Sequence, residues 1–471
     1  MFDFGVMPPL MFAALIVFFL VGFPVAFTLT ALGLVFSVVG MATGAFTEVF
    51  LQALPYRFFG IVSNDLLLAV PFFTFMGAIL ERCGLAEDLL EGTGQLFGGL
   101  PGGLAYAVII VGAILGAITG TVAASVIAMG VISLPIMKRY GYDMKLATGV
   151  IAASGTITQV IPPSLVLIVL AQQLGRDVGD MYLGATGPSI LQVAIFLLYI
   201  AGLSILRPNS MPPLPPEARP HSGRELLIKV AKGMVPSVVL IFLVLGTIAL
   251  GLASPTEAGA MGAVGGMILA AINRRLSWKL VREAMATTMR LTSMVIFILV
   301  GSTVFTLVFR GLDGGAWIEH LLASLPGGQV GFLVFVNLFV FVLAFFLDFF
   351  EIAFIIIPLL APVADKLGID LVWFGVLLCV NMQTSFMHPP FGFALFYLRG
   401  IAPPDVKSSD IYLGALPWVL MQVLLVAIVI LWPQSVTYWI SHAPTTPPSE
   451  IKIEIKPPSY ETPGAPAGPK F

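Results

Sequence analysis

The sequence predicts an all-α polytopic membrane protein made of two inverted repeats. Each repeat carries a re-entrant hairpin and a helix broken at a double proline, with about 11 spans plus the two hairpins in all. Three observations predict this. The 471 residues are 58% hydrophobic and only 10% charged, with a mean hydropathy of +1.01, a composition foreign to soluble domains. Several uncharged runs are long enough to cross a ~30 Å hydrocarbon core. One polar, proline-broken stretch is also written twice: Ser154-Gly-Thr-Ile-Thr-Gln-Val-Ile-Pro-Pro-Ser164 recurs as Asn381-Met-Gln-Thr-Ser-Phe-Met-His-Pro-Pro-Phe391.

The two copies stand 227 residues apart (389 less 162), so Pro162 and Pro163 fall on Pro389 and Pro390. The same offset carries Pro135 to Pro362, Gly141 to Gly368 and Asp143 to Asp370. Further on, Asp180-Met-Tyr-Leu-Gly-Ala185 recurs as Asp410-Ile-Tyr-Leu-Gly-Ala415, now 230 apart (410 less 180). A proline pair removes two backbone donors and blocks the helical turn before it. Each copy therefore interrupts a helix; a membrane helix merely kinked by prolines would carry the same dipeptide.

The first repeat covers residues 1–206. Met7 to Met41 is uncharged and too long for one upright helix, and Gly22 and Pro24 suggest a span followed by a second element. Phe46 to Ile61 and Leu66 to Leu80 follow, the latter closed by Glu81 and Arg82. Leu85 to Leu96 carries Glu87, Asp88 and Glu91 among leucines, the pattern of an interfacial helix. From Leu104 to Met137 there are 34 uncharged residues. As one helix they would be about 51 Å long at ~1.5 Å per residue, and as two full spans they are too few. A hairpin over about 98–140, with Thr119-Gly120-Thr121 at its tip, resolves the mismatch. The first broken helix then occupies about 143–173, and Gly184 to Leu206 is a plain span.

Residues 207–234 form the boundary between halves, with six prolines between Arg207 and Pro220. A basic amphipathic helix is expected over Gly223 to Gly233. The second repeat, 235–435, runs through spans at Val235 to Leu252, Gly259 to Ile272 and Leu291 to Phe309. Its hairpin is expected over about 327–366, with Asp348 and Glu351 near the middle, and its broken helix over about 370–399. Ile411 to Trp432 is the last span. Residues 436–471 are read as a flexible tail, Pro-rich and polar from Ala443 on.

Orientation follows the basic residues. This topology gathers most of the 23 Lys and Arg on one side, among them Lys138, Arg139, Arg274, Arg275 and Arg399. That side is expected to be cytoplasmic, which turns the two hairpins toward opposite faces and leaves both termini outside.

Several classes are excluded. No basic patch interleaves with aromatics, which sets nucleic acid aside. Cys83 and Cys379 make neither a metal nor a redox spacing. The start, Met1-Phe-Asp-Phe-Gly5, lacks the basic region of a cleavable signal, so its first apolar run is expected to stay as a helix. Gly98-Gly-Leu-Pro-Gly-Gly103 lacks a P-loop's Gly-Lys-Ser/Thr ending. The scattered His and Cys residues offer no nucleophile–base set, so an enzyme is not expected and no cofactor is implied.

Hairpin, double-proline break, long linker, then the same again inverted: this order resembles the ion-transporter superfamily. Ser133-Leu-Pro-Ile-Met-Lys-Arg-Tyr-Gly-Tyr142, Ile161-Pro-Pro-Ser164, Leu367-Gly-Ile-Asp370 and Pro389-Pro-Phe-Gly392 are similar to the large membrane subunit of the tripartite ATP-independent periplasmic (TRAP) transporters. The resemblance covers about residues 5–435. It implies a sodium-coupled importer of a small organic anion, working with a small four-helix membrane subunit and a periplasmic substrate-binding protein. The setting would be the bacterial inner membrane. A stand-alone sodium-coupled carrier or sodium–proton exchanger of the same superfamily is the alternative. Two positions depart from the family: Thr119-Gly-Thr-Val122 replaces a Ser-Gly-Ser-Ser-like tip, and His388 stands where a threonine commonly precedes the second proline pair.

Hydroxyls and carbonyls at a hairpin tip and a helix break make an all-oxygen nest suited to sodium. The first candidate set is Thr119, Gly120, Thr121, Gly155, Thr156 and Thr158. The second is Asp348, Met382, Thr384, Ser385 and Met387, the methionines through backbone oxygen. Hydroxyls that bond back to their own helix remain the alternative for each. Ser154, Gln159, Ser164, Asn381, Gln383 and His388 are candidates to meet substrate between the breaks. Glu351, three residues after Asp348, is read as a cation or proton carrier, or as a solvated carboxylate at a wet tip. His388 is read as a titrating group, an anion ligand, or a donor to a carbonyl freed by the prolines.

Overall fold

The computed structural model describes residues 5–45, 47–219, 223–390 and 392–440. Among them there is no strand. Seven helices are long and apolar enough to cross a membrane, or up to nine if two bent pairs each count as one span. Those pairs are Glu48–Val62 with Asp65–Arg82, bent by 45°, and Gly314–Ala323 with Gly328–Leu343, bent by 116°. The first apolar run divides into Met7–Val21 and Val25–Ala42, turned at Gly22, whose φ of 86° lies in the left-handed region.

The helices bind where small residues let backbones approach, the usual device where lipid is as apolar as leucine. Val25–Ala42 packs on Trp278–Gly311, and Asp65–Arg82 on Pro255–Ile272. A Cβ on Gly301 would lie 2.6 Å from Ala26 O, and one on Gly33 2.8 Å from Val304 Cγ1. A closer approach joins Met144–Thr156 to Ser408–Leu431, where a Cβ on Gly149 would lie 2.2 Å from Gly414 O and 2.7 Å from Trp418 Nε1. Gly149→Val is therefore expected to destabilise the chain by about 1–3 kcal/mol through overpacking. The check is the thermal midpoint in detergent; an unchanged midpoint would mean these helices separate freely.

Three boundaries differ from the sequence expectation. Gly223–Ala249 is one helix, joining the expected amphipathic segment to the following span. A proline within a membrane helix is tolerated, and Ser237 Oγ donates to Gly233 O in the turn around Pro236. Trp278–Gly311 is likewise a single 34-residue helix that takes in Lys279, Arg282 and Arg290. Lys and Arg propagate a helix well, so hydropathy ends before the helix does. The expected tail boundary also falls inside folded chain: Gln434–Thr437 forms a helical turn and Val436 is fully buried. The rest of that expected tail, residues 441–471, lies outside the described residues.

Candidate functional site

The first break is built from its caps inward. Asp143 caps Met144–Thr156 by accepting from Lys145 N at 2.8 Å. That helix tightens into a 3₁₀ turn at Ile157–Gln159 and stops at Pro162-Pro163, joined by a cis peptide bond. Ser164 starts Leu165–Leu174, its hydroxyl accepting from Val166 N at 3.2 Å. With no proline donors to meet it, Gln159 O is taken by Ser164 Oγ at 2.5 Å and Cys379 Sγ at 3.3 Å. The second break follows the same plan. Asp370 caps Leu371–Ser385 by accepting from Trp373 N at 2.8 Å, Pro389-Pro390 is cis, and Phe393–Ile401 resumes the chain.

Two tips approach these breaks. Gly103–Thr119 and Val122–Arg139 are joined by Gly120, at φ 63°, and Thr121. Gly116 lies against Thr158, where a Cβ would meet Thr158 Cα at 3.0 Å, and Gly155 lies against Val126. A hydroxyl chain results, with Thr119 Oγ1 2.7 Å from Ser125 Oγ, and Thr158 Oγ1 donating to Ser125 Oγ at 3.1 Å and to Gly155 O at 2.6 Å. On the other side, Gly328–Leu343 ends before Asp348, which opens the next arm with a capping box. Glu351 N donates to Asp348 Oδ1 and Asp348 N donates to Glu351 Oε2, both at 3.0 Å. A π stretch at Ile352–Ile356 follows, and Ser302 Oγ takes Phe354 O at 2.6 Å. The halves also meet at the protein surface, at the base of the first tip's second arm. Lys138 Nζ reaches Asp405 Oδ2 at 2.5 Å, and this hydrogen bond holds the Asp405 carboxyl below its ordinary range.

Between the tips lies a cavity of about 150 Å³. Gly120 and Thr121 form one wall and Asp348 and Phe349 another, with Gln159, Leu165, Phe386 and Tyr397 completing it. The amide of Gln159 is only 2% exposed, and neither its Nε2 nor its Oε1 has a partner. A buried amide without partners is costly, and this one stands on a cavity wall. Leu165 and Val166 bring the start of a helix to the same space, where the positive end of the helix dipole favours negative charge. The site thus offers an anion a helix end and an amide, and a cation a carboxylate.

The remaining candidates do not line this cavity. Ser154 Oγ donates to Ile151 O at 2.8 Å and its Cβ rests on Gly112. Thr384 and Ser385 donate to Asn381 O and Met382 O of their own helix. Asn381 Nδ2 donates to Asn337 O at 2.8 Å, tying the second break to the second hairpin's first arm. Thr156 Oγ1 and Met387 Sδ are 3.6 Å apart, both within reach of Gln422 Nε2. Gln383 Oε1 accepts from Gln192 Nε2 at 2.7 Å. His388 lies against Phe341 and Phe345, with ring centroids 4.0 and 4.3 Å away, and neither ring nitrogen has a partner. Ser125, Asn337, Gln192, Gln422 and Tyr397 were missed from sequence. Only the two glutamines left a signal: the offset of 230 that carries Asp180 to Asp410 also carries Gln192 to Gln422.

Comparison with known proteins places the architecture. Residues 12–435 match the family described as tripartite ATP-independent periplasmic transporter, DctM component. An uncharacterized protein, YgiK, of Salmonella typhimurium is 29% identical, the match covering 92% of this chain and 97% of that one. The C4-dicarboxylate TRAP transporter large permease protein DctM of Vibrio cholerae is 28% identical over 80% of this chain and 84% of its own length. The crystal structure of the YdaH transporter of Alcanivorax borkumensis has a similar fold, with a TM-score of 0.57 at 16% identity, covering 82% of this chain and 89% of that one.

Proposed function

Because the chain belongs to the DctM component family of the tripartite ATP-independent periplasmic transporters, we propose that it is the transport subunit of a sodium-coupled, binding-protein-dependent importer of small organic acids. It is a transport permease, not an enzyme. The observation that carries the finer reading is the cavity where two tips and two helix breaks meet an unpartnered amide. An organic acid would place its carboxylate at the start of Leu165–Leu174 and accept from Gln159 Nε2. Sodium would sit among oxygens, with Asp348 supplying the charge and the tip and break carbonyls supplying dipoles. Neutralising both charges in one cavity lowers the cost of moving either through a low-dielectric region.

The word tripartite names two further components, and a large permease implies a small one. The partners are accordingly a small membrane subunit and a periplasmic substrate-binding protein. The setting is an inner membrane, with both termini on the periplasmic side as the distribution of Lys and Arg favours. That the Vibrio relative is a C4-dicarboxylate TRAP transporter large permease protein supports an organic anion as cargo.

The test is uptake into proteoliposomes holding this chain and both partners, using the ligand found on the cognate binding protein. An inward sodium gradient without ATP is expected to accumulate it. Equal uptake in potassium at the same membrane potential would overturn sodium coupling. Full uptake without the binding protein would favour a stand-alone carrier.

A further inference from the structure

The helices that follow the breaks cross over to the opposite half. Val178–Leu206, after the first break, packs on Leu371–Ser385 of the second, and Ser408–Leu431, after the second, packs on Met144–Thr156 of the first. Both crossings use equivalent positions. Gly414 approaches Lys145 O, and Gly184, its counterpart at the 230 offset, approaches Val372, the counterpart of Lys145 at 227. One polar contact recurs in the same way. Gln422 Nε2 donates to Thr156 Oγ1 at 2.9 Å, and Gln192 Nε2 donates to Gln383 Oε1 at 2.7 Å. Gln192 maps to Gln422 by 230, and Thr156 to Gln383 by 227. All four residues are 0% exposed.

Stability alone gives little reason for these amides. Gln192 Oε1, Gln422 Oε1 and Gln383 Nε2 are buried without partners, and leucines of similar volume would carry no such cost. Their placement gives a reason. Thr156 ends the helical run just before the 3₁₀ turn whose last residue, Gln159, lines the cavity. The carbonyl of Gln383 accepts from Phe386 N at 3.3 Å, and Phe386 lines the cavity from the other side. Gln422 Nε2 also lies 3.7 Å from Met387 Sδ, so it touches both breaks at once. We propose that Gln192 and Gln422 are paired positioning residues. Each anchors, from the helix after one break, the last turn before the other, so the two sides of the site hold one geometry and change affinity together.

The first test rests on the sodium reading given above. Full-length chain in detergent is melted in rising sodium chloride, with potassium chloride keeping ionic strength constant. Sodium is expected to raise the thermal midpoint. Gln192→Leu and Gln422→Leu should each move the half-effective sodium concentration upward by about fivefold or more, the effect of one hydrogen bond. Gln422→Leu combined with Thr156→Val should move it no further than the worse single change. A lowered melting temperature with an unmoved sodium midpoint would make the glutamines packing residues only and overturn the proposal.

A second measurement needs no sodium. Gln159→Cys, on the cavity wall, is labelled with a small methanethiosulfonate, with the parent chain, whose Cys83 and Cys379 do not line the cavity, as blank. Its labelling rate should change about fivefold or more when Gln422→Leu is added. If the parent chain ignores sodium, the sodium reading alone fails and the labelling rate decides. An unchanged rate there overturns the positioning role.

Discussion

Gln159→Leu is expected to raise the half-saturating substrate concentration for uptake by about 10- to 100-fold, while the chain still folds and assembles. The size follows from what the amide would lose: a hydrogen bond to a charged group contributes roughly 1.5–3 kcal/mol, and each 1.4 kcal/mol is about tenfold in affinity. The intact fold follows from what it has at present. Both polar atoms of the side chain are buried without a partner, so leucine orphans nothing and removes a desolvation cost. Its backbone carbonyl, taken by Ser164 and Cys379, is untouched by the change. Function and stability should therefore move apart, with the thermal midpoint level or raised while uptake weakens. The measurement is initial rate against concentration of the binding-protein ligand, with melting of the same preparations alongside. A normal half-saturating concentration would mean that the cargo lies elsewhere.

What could be read from the sequence is what leaves a covalent trace. Proline pairs delete donors, so the breaks at Pro162-Pro163 and Pro389-Pro390 stand at the residues that cause them. Gly120 was legible as a tip because the uncharged run around it has a length that neither one span nor two can use. Side-chain direction leaves no such trace. Thr156 and Thr158 share one motif, yet the first faces Gln422 and Met387 while the second bonds Ser125, which in turn meets Thr119. Two residues along a helix turn a side chain through about 200°, so neighbours in the motif serve different contacts. Ser125 was hidden for the converse reason, being one hydroxyl inside an apolar arm, and only the packing of Gly155 on Val126 brings that arm onto Thr158. Two helices run past the ends that hydropathy alone marks, Gly223–Ala249 and Trp278–Gly311, since charged residues end a membrane-buried stretch without ending the helix.

Asp348 offers a sharper test of the sodium reading, because its two possible roles can be separated by one atom. As a cap it accepts from Glu351 N and opens the arm after the second tip. As a charge it stands on the cavity wall opposite Thr121, its counterpart at the 227 offset. Asparagine caps a helix about as well as aspartate, so Asp348→Asn keeps the first role and removes the second. Alanine removes both, at a cost of about 0.5–2 kcal/mol for the lost cap. The expected result is a rise of about tenfold or more in the sodium concentration that half-activates uptake for Asp348→Asn, with its thermal midpoint in potassium close to the parent's. That size corresponds to one charge-assisted contact. Thr121→Ala should give a smaller rise, since a neutral oxygen contributes less than a carboxylate. Co-purification with the small subunit should survive both changes. If the sodium curve of Asp348→Asn overlays the parent while Asp348→Ala merely loses stability, the carboxylate is a helix cap and the cation is held by other oxygens.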